Sequence, residues 1–329
     1  MSPVTDPVVG VDVGASTISA GLVCPDDGVV LETVQAPVVG GGDTVATIAG
    51  LIDRILAMAE RRGTRVGGIG VGLPGLVDVE KGAVRPMATW LPELSGVPLK
   101  SLLEERTGHR VFVDNDVNAL ALAEWMFGAG RGASSLVTMA IGTGIGAGLI
   151  VDGALVRGHV EGAGEIGHLA VSLTGPRCVC GGIACLGTYV GGGFLPERVR
   201  ERLAEYPDTA VLAHAGGDPG RITADSVFRA AAGGDPLARE VVDDACEALA
   251  VGIGALVGLL NPEVIVITGG VAASLAPLWE DIMKRTRHRA LGIALDATAV
   301  RLVPADKRAT TRGGAALVRY ETARRGLEV

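Results

Sequence analysis

From Val8 to Val13 the chain reads VVGVDV, a short apolar run with a single acid, and after Gly14-Ala15-Ser16-Thr17 a second run extends from Ile18 to Cys24. Two such runs around a cluster of small turn residues predict a β-hairpin. Thr44 to Arg62 carries apolar positions at helical spacing, with Asp43 placed to cap it and Gly63 to stop it. A strand is predicted from Gly68 to Leu73, ending in Pro74-Gly75. After a loop around Met87 to Gly96 come a helix from Val97 to Thr107, stopped by Gly108, and a strand from Arg110 to Val113 that delivers Asp114-Asn115-Asp116. Hairpin, helix, strand, helix, strand is an α/β order.

The theme then returns. A helix over Val117 to Phe127 leads to a strand over Ser135 to Ile141, the turn Gly142-Thr143-Gly144 and a strand over Ile145 to Val151. Two hairpins of one kind predict two related α/β domains facing each other. A helical tract from Asp235 to Leu260 runs into a strand over Val264 to Thr268 and then Gly269-Gly270, and the last helix, Thr310 to Arg325, is placed to return to the first domain. The longest apolar run, Ala248 to Leu260, is broken by three glycines and is too short to span a bilayer, so it reads as a buried helix.

Composition adds limits. The 329 residues are 48% hydrophobic, enough for a sizeable core and for two domains rather than one. Fifty glycines against ten aromatics point to many tight turns and an aliphatic core. A formal charge of −8 with no Lys/Arg stripe argues against a nucleic-acid surface. No signal peptide precedes the first strand.

The densest chemistry lies between Gly164 and Gly187, which holds Glu165, His168, Cys178, Cys180 and Cys185. One imidazole and three thiols, out of only five cysteines in the chain, supply the four ligands of a tetrahedral structural zinc; the alternative is a set of incidental thiols. Cys24 and Cys246 stand apart, and free thiols beside a thiolate site point to a reducing, cytoplasmic compartment. The turns at Asp12-x-Gly14-x-Ser16-Thr17, at Gly142-Thr143-Gly144 and at Gly269-Gly270 expose backbone N–H groups without side-chain bulk, as a polyphosphate requires, although ordinary tight turns share the composition. Asp12 is suited to hold Mg²⁺ through water. Asp114-Asn115-Asp116 puts a carboxylate at a strand end, where it serves either as a proton acceptor for phosphoryl transfer to an alcohol or as a plain cap of the next helix.

Together, Asp12-x-Gly14-x-Ser16, Gly72-Leu73-Pro74-Gly75-x-x-Asp78, Asp114-Asn115-Asp116-x-Asn118, Gly142-Thr143-Gly144-x-Gly146-x-Gly148, Glu165-x-Gly167-His168 and the three-cysteine cluster resemble the ROK family of bacterial sugar kinases and sugar-responsive repressors. The resemblance covers almost the whole chain. It implies a two-domain, actin-like ATPase fold of the hexokinase superclass, with sugar and ATP in an interdomain cleft. The smaller domain is expected at 1–115 plus 311–329 and the larger at 116–310. By resemblance, Asp116 is the catalytic base acting on the primary hydroxyl, and Asn115 and Asp116 bind the ring hydroxyls far from the anomeric carbon. Glu165 and His168 contact those nearer to it. Asp12, Gly14, Ser16, Thr17, Gly142, Thr143 and Gly144 serve the phosphates of ATP and its Mg²⁺, Gly269 and Gly270 face the adenosine, and His168, Cys178, Cys180 and Cys185 bind Zn²⁺.

Two departures fall on substrate recognition. The family pattern has Leu-Glu after the third cysteine where this chain has Leu186-Gly187, and Pro-Asn ahead of the acceptor-loop tryptophan where this chain has Pro86-Met87-Ala88-Thr89-Trp90. The expected activity is therefore a glucokinase-like, ATP-dependent hexose kinase, with a kinase for an amino sugar, N-acyl sugar or cyclitol as the alternative. A non-catalytic sugar-binding regulator is the remote rival, and a repressor is disfavoured because only about ten residues precede Asp12, too few for a DNA-binding helix. The partners expected are a sugar or sugar-like molecule and further copies of the chain, as a homodimer or homotetramer, with no nucleic acid and no membrane.

Overall fold

β1 (Val8–Val13) and β2 (Thr17–Val23) pair antiparallel across the predicted turn, with Asp12 opposite Ser19. The computed structural model describes residues 6–39, 42–85, 91–306 and 310–327, so the Pro86-to-Trp90 departure lies outside the described residues. β3 (Val30–Pro37) extends the hairpin, and α1 (Thr44–Arg61) follows with the Asp43 carboxylate accepting from the Ala46 N–H at 2.8 Å. Next come β4 (Ile69–Leu73), the small hairpin β5 (Val77–Asp78) and β6 (Ala83–Val84), α2 (Leu99–Thr107), β7 (Val111–Asn115) and α3 (Asp116–Met126). α2 starts two residues later than expected because a residue before proline, here Val97, is pushed out of the helical region.

The first sheet runs β3-β2-β1-β4-β7, with β1, β4 and β7 parallel. Those three strands are almost entirely buried, which is why they read as apolar runs rather than alternating ones. Ile48, Ile52 and Ile55 of α1 pack into the same core.

β8 (Leu136–Ile141), β9 (Ile145–Val151) and β10 (Ala154–Val156) repeat the opening plan. The chain then runs through α4 (Leu186–Val190), α5 (Leu195–Arg200), α6 (Ala210–His214), α7 (Ala224–Ala232) and the long α8 (Pro236–Leu260). β11 (Val264–Thr268), α9 (Ala272–Leu275), α10 (Trp279–Arg287), α11 (Gly292–Ala297) and β12 (Ala299–Leu302) follow, and α12 (Thr311–Arg325) closes the chain. The second sheet runs β10-β9-β8-β11-β12, the same order of hairpin and crossover strands as the first. α8 is buried along most of its length, and no helix among the described residues is long and apolar enough to cross a membrane.

Two compact units result, one from Met1–Thr138, Gly148–Ala163 and Asp306–Val329, the other from Met139–Ala147 and Gly164–Ala305. Within the first, α12 lies directly on the backbone of β1 and β4. A methyl group on Gly10 would stand 1.9 Å from the Thr311 carbonyl oxygen, and one on Gly70 1.9 Å from that of Gly314. No side-chain rotation relieves a clash with backbone, so Gly70→Ala is expected to destabilise by about 3 kcal/mol, the upper end for overpacking, or more. Urea unfolding measures this; a loss below about 1 kcal/mol would show that the helix can lift off the sheet without penalty.

Candidate functional site

In the first unit the strand register collects the chemistry. Asp12 pairs with Gly72 and Gly72 with Asp114, so these three residues share one row across the carboxyl ends of β1, β4 and β7. Carboxyl ends of parallel strands are where open α/β sheets hold ligands. Beyond Asp12 the chain turns tightly, the Gly14 N–H donating to the Thr17 carbonyl at 3.0 Å, and Ala15 and Ser16 are exposed at the tip. Burial pushes the Asp12 carboxyl up, and a hydrogen bond from Thr310 opposes it.

The helix-cap question raised by Asp114-Asn115-Asp116 resolves onto the middle residue. Asn115 Oδ1 accepts from the N–H groups of Val117 at 2.8 Å and Asn118 at 3.1 Å, while its Nδ2 donates to the Gly75 carbonyl at 3.0 Å. Asp116 is the first helical residue of α3, and its Oδ1 accepts from the Val117 N–H at 2.9 Å. Gly72 leaves room for it, because a side chain there would come within 3.1 Å of the Asp116 Cα. Asp114 points inward instead. One carboxylate oxygen accepts from Asn118 Nδ2 at 3.0 Å and the Asn115 N–H at 2.7 Å, and the other accepts from Arg157 Nε at 2.8 Å. Arg157 also pairs with Glu321 of α12 at 2.7 Å. Burial pushes the Asp114 carboxyl up; Arg157 and the hydrogen bonds pull it down. Nothing in the sequence pattern announces Arg157, Glu321 or Thr310, since a charged residue in a loop or on a helix reads as solvated and a lone threonine carries no signal.

In the second unit, Gly142, Thr143 and Gly144 form a tight turn, the Gly142 N–H donating to the Gly144 carbonyl at 2.9 Å. Gly191-Gly192-Gly193 brace it: the Gly192 N–H donates to the Gly142 carbonyl at 2.8 Å and the Gly193 N–H to the Thr143 carbonyl at 2.9 Å. That triple glycine is visible in the sequence and was the signal to follow. Gly269, at φ 109°, packs on the backbone of Ile141, so the loop carrying Gly269 and Gly270 joins the same cluster. Gly270 is exposed with open space around it. α9, which follows directly, contributes Ser274 to a cavity of about 660 Å³ whose apolar wall includes Phe228, Ala231, Val242, Cys246 and Leu278.

Glu165 and His168 flank a short turn. Gly167 sits against the Ile145 carbonyl on one side, and on the other a methyl group at Gly187 would stand 3.1 Å from the Gly167 carbonyl oxygen. The Glu165 carboxylate lies 3.9 Å from His168 Nε2, and burial pushes it up while His168 opposes. His168 Nδ1 faces the thiols, 3.5 Å from Cys178 Sγ, and Cys180 Sγ lies 3.8 Å from Cys185 Sγ. The four ligand atoms all fall within 4.8 Å of one another. Tetrahedral zinc with bonds of about 2.3 Å to sulfur requires sulfur–sulfur edges of about 3.8 Å, so the donor set and the spacing fit this ion. Burial and the neighbouring Cys178 and Cys180 sulfurs push the Cys185 thiol up to about 12, whereas the hydrogen bond from the Gly182 N–H, with help from Cys178, holds the Cys180 thiol below its ordinary value.

A family model described as the ROK family matches residues 8–321. A glucokinase of Thermotoga maritima is 34% identical over 282 residues, 84% of this chain and 87% of the relative. The crystal structure of a ROK hexokinase from Thermus thermophilus superposes with a TM-score of 0.79 at 30% identity, covering 97% of this chain and 99% of the other. A ROK family glucokinase from Streptomyces griseus, solved in complex with glucose and AMPPNP, gives 0.74 at 29% identity, over 95% and 99% of the two chains.

Proposed function

This chain belongs to the ROK family and is a sugar kinase with a two-domain actin-like ATPase fold, and we propose that it transfers the γ-phosphoryl group of ATP to the primary hydroxyl of a hexose. The observation that carries the reading is the carboxyl end of the first sheet. There Asp116 stands at the strand-to-helix junction as the first residue of α3, beside Asn115, whose side chain caps the N–H groups of Val117 and Asn118. In this reading Asp116 takes the hydroxyl proton as the oxygen attacks phosphorus, and Asn115, Glu165 and His168 hold the ring hydroxyls. The turns at Gly14–Thr17 and Gly142–Gly144 offer N–H groups and hydroxyls to the phosphates. The cavity beside α9 has the apolar wall and polar rim that suit an adenine ring, and the AMPPNP complex of the Streptomyces griseus relative supports ATP as donor.

Asp12, half-buried with its pKa raised by burial, would hold a hydrated Mg²⁺, which would supply positive charge to the phosphates. His168, Cys178, Cys180 and Cys185 would hold a structural Zn²⁺ through His168 Nδ1, leaving Nε2, on the Glu165 side, for a sugar hydroxyl.

Gly187 favours a second reading of the substrate. It removes a carboxylate from the wall beside Glu165 and His168, so plain glucose forgoes a charge-assisted hydrogen bond of about 1.5 to 3 kcal/mol. A sugar with an amino or N-acyl group there, or a cyclitol, does not need it. A coupled ADP-release assay over glucose, mannose, amino and N-acetylated hexoses, fructose and cyclitols is expected to rank such a compound roughly tenfold or more above glucose in kcat/KM. Gly187→Glu should narrow that gap, with Gly187→Ala as the control for crowding against the Gly167 carbonyl. Glucose as best wild-type substrate, with no gain from Glu, removes the second reading and leaves a glucokinase; no sugar-dependent ADP release at all removes the first and favours a sugar-binding regulator.

A further inference from the structure

We propose that Arg157 is a positioning residue for the Asn115–Asp116 pair, acting through Asp114; this rests on the kinase reading above. The three charges concerned are withdrawn from water: the side chains of Asp114, Glu321 and Arg157 are 2%, 4% and 13% exposed. Arg157 grips one oxygen of Asp114 with Nε and Nη2, at 2.8 and 2.7 Å. The other oxygen accepts from the Asn115 N–H and from Asn118 Nδ2, so the carboxylate fixes the peptide that leads into Asn115 and the first turn of the helix that begins with Asp116.

Arg157 is itself held by α12. Its guanidinium pairs with Glu321 and lies 5.8 Å from the Tyr320 ring centroid, and the Tyr320 hydroxyl accepts from the Leu155 N–H at 2.9 Å. Glu321 accepts in addition from Arg324 and Arg325. A buried ion network of this kind adds little stability over an apolar replacement, so its value lies in fixing one geometry.

The same residue starts a loop that is tied down within the first unit. The Arg157 carbonyl accepts from the Ala163 N–H at 2.9 Å, two residues before Glu165. Glu161, at φ 58°, an uncommon value for a residue with a side chain, pairs with Arg85 through Nε at 3.0 Å, and Arg85 directly precedes the Pro86-to-Trp90 segment. Within the first unit, segment 157–163 thus fastens both the end of β7, through Asp114, and Arg85.

The test uses the full chain and the best sugar of the panel, comparing Arg157→Lys, Arg157→Met and the double variant Asp114→Asn/Arg157→Met by kcat, KM and Tm. Arg157→Met is expected to lose about 10²-fold in kcat, as a misplacement near 1 Å produces, and also Tm, because Asp114 is left buried and unpaired. Arg157→Lys, which keeps the charge but not the fork, should lose about tenfold in kcat with KM within threefold of wild type. The double variant removes the unpaired charge, while Glu321 keeps Arg324 and Arg325; its Tm should recover and its kcat should not. Recovery of both together, or an Arg157→Lys enzyme at wild-type kcat, overturns the positioning role. If Arg157→Met does not fold, the other two variants decide the matter. Absence of sugar-dependent turnover in the wild type overturns the kinase reading and this proposal with it, whereas wild-type turnover with unaffected variants overturns this proposal alone.

Discussion

Asp116→Asn is expected to lower kcat by at least about 10²-fold, the usual contribution of a positioned general base, while leaving Tm within about 2 °C of wild type. The structure sharpens this contrast. The N–H groups of Val117 and Asn118 are capped by Asn115, so α3 does not depend on a carboxylate at position 116. The Asp116 contact with the Val117 N–H is made through an oxygen that asparagine retains. Shape and this hydrogen bond survive, while the capacity to take a proton is lost. A stopped or coupled assay of ADP release on the best sugar, with thermal unfolding of the same preparation, checks both halves. Near wild-type kcat would remove Asp116 as the base, and a large fall in Tm would return it to a structural role.

The second large effect concerns the metal. Protein prepared without added zinc is expected to carry about one zinc per chain by elemental analysis. Cys185→Ser or exhaustive chelation should lower Tm by roughly 10 °C, as the loss of several kcal/mol does in a chain of this size, and weaken sugar binding about tenfold or more. The coupling follows from connectivity. Cys185 is the N-cap position of α4, the Leu186 N–H donates to the Leu169 carbonyl at 2.8 Å, and the Val171 N–H donates to the Ala184 carbonyl at 2.9 Å. The turn bearing Glu165 and His168 is therefore stitched to the cysteine loop by backbone bonds, and a zinc ion on the four ligands would fix it further. A metal-free sample with unchanged Tm and affinity would show that backbone bonds alone hold the turn.

Much of the fold was legible because its strands are short apolar runs bounded by residues with one structural meaning. Asp43 caps α1, Gly108 in the left-handed region ends α2, and Asp235 caps α8 through the Ala238 N–H. β3 escaped notice since VLETVQAP is an edge strand with a single fully buried position. The short helices α4 to α7 fall in a stretch too broken by Gly and Pro for helical periodicity to register. The candidate site divides in the same way. Glycine turns and the cysteine cluster announce themselves by composition; the bonds from Arg157 to Asp114 and Glu321 join residues 43 and 164 positions apart, and local sequence carries no trace of such pairing.

The glycine contacts between α12 and the first sheet bear on how the chain is made. Gly10 and Gly70 emerge from the ribosome long before Thr311 and Gly314, the residues that rest on them. About 300 residues separate Gly10 from its cover, and at 5–20 residues per second that interval lasts roughly 15 to 60 s. Through it the nascent β1 and β4 keep one apolar face uncovered, and the opening strands reach their final state only when the last helix is released. Stop codons a few residues short of α12 are therefore expected to destabilise the first unit, whereas missense substitutions within β11 or α10, which belong to the second unit, leave that cover in place.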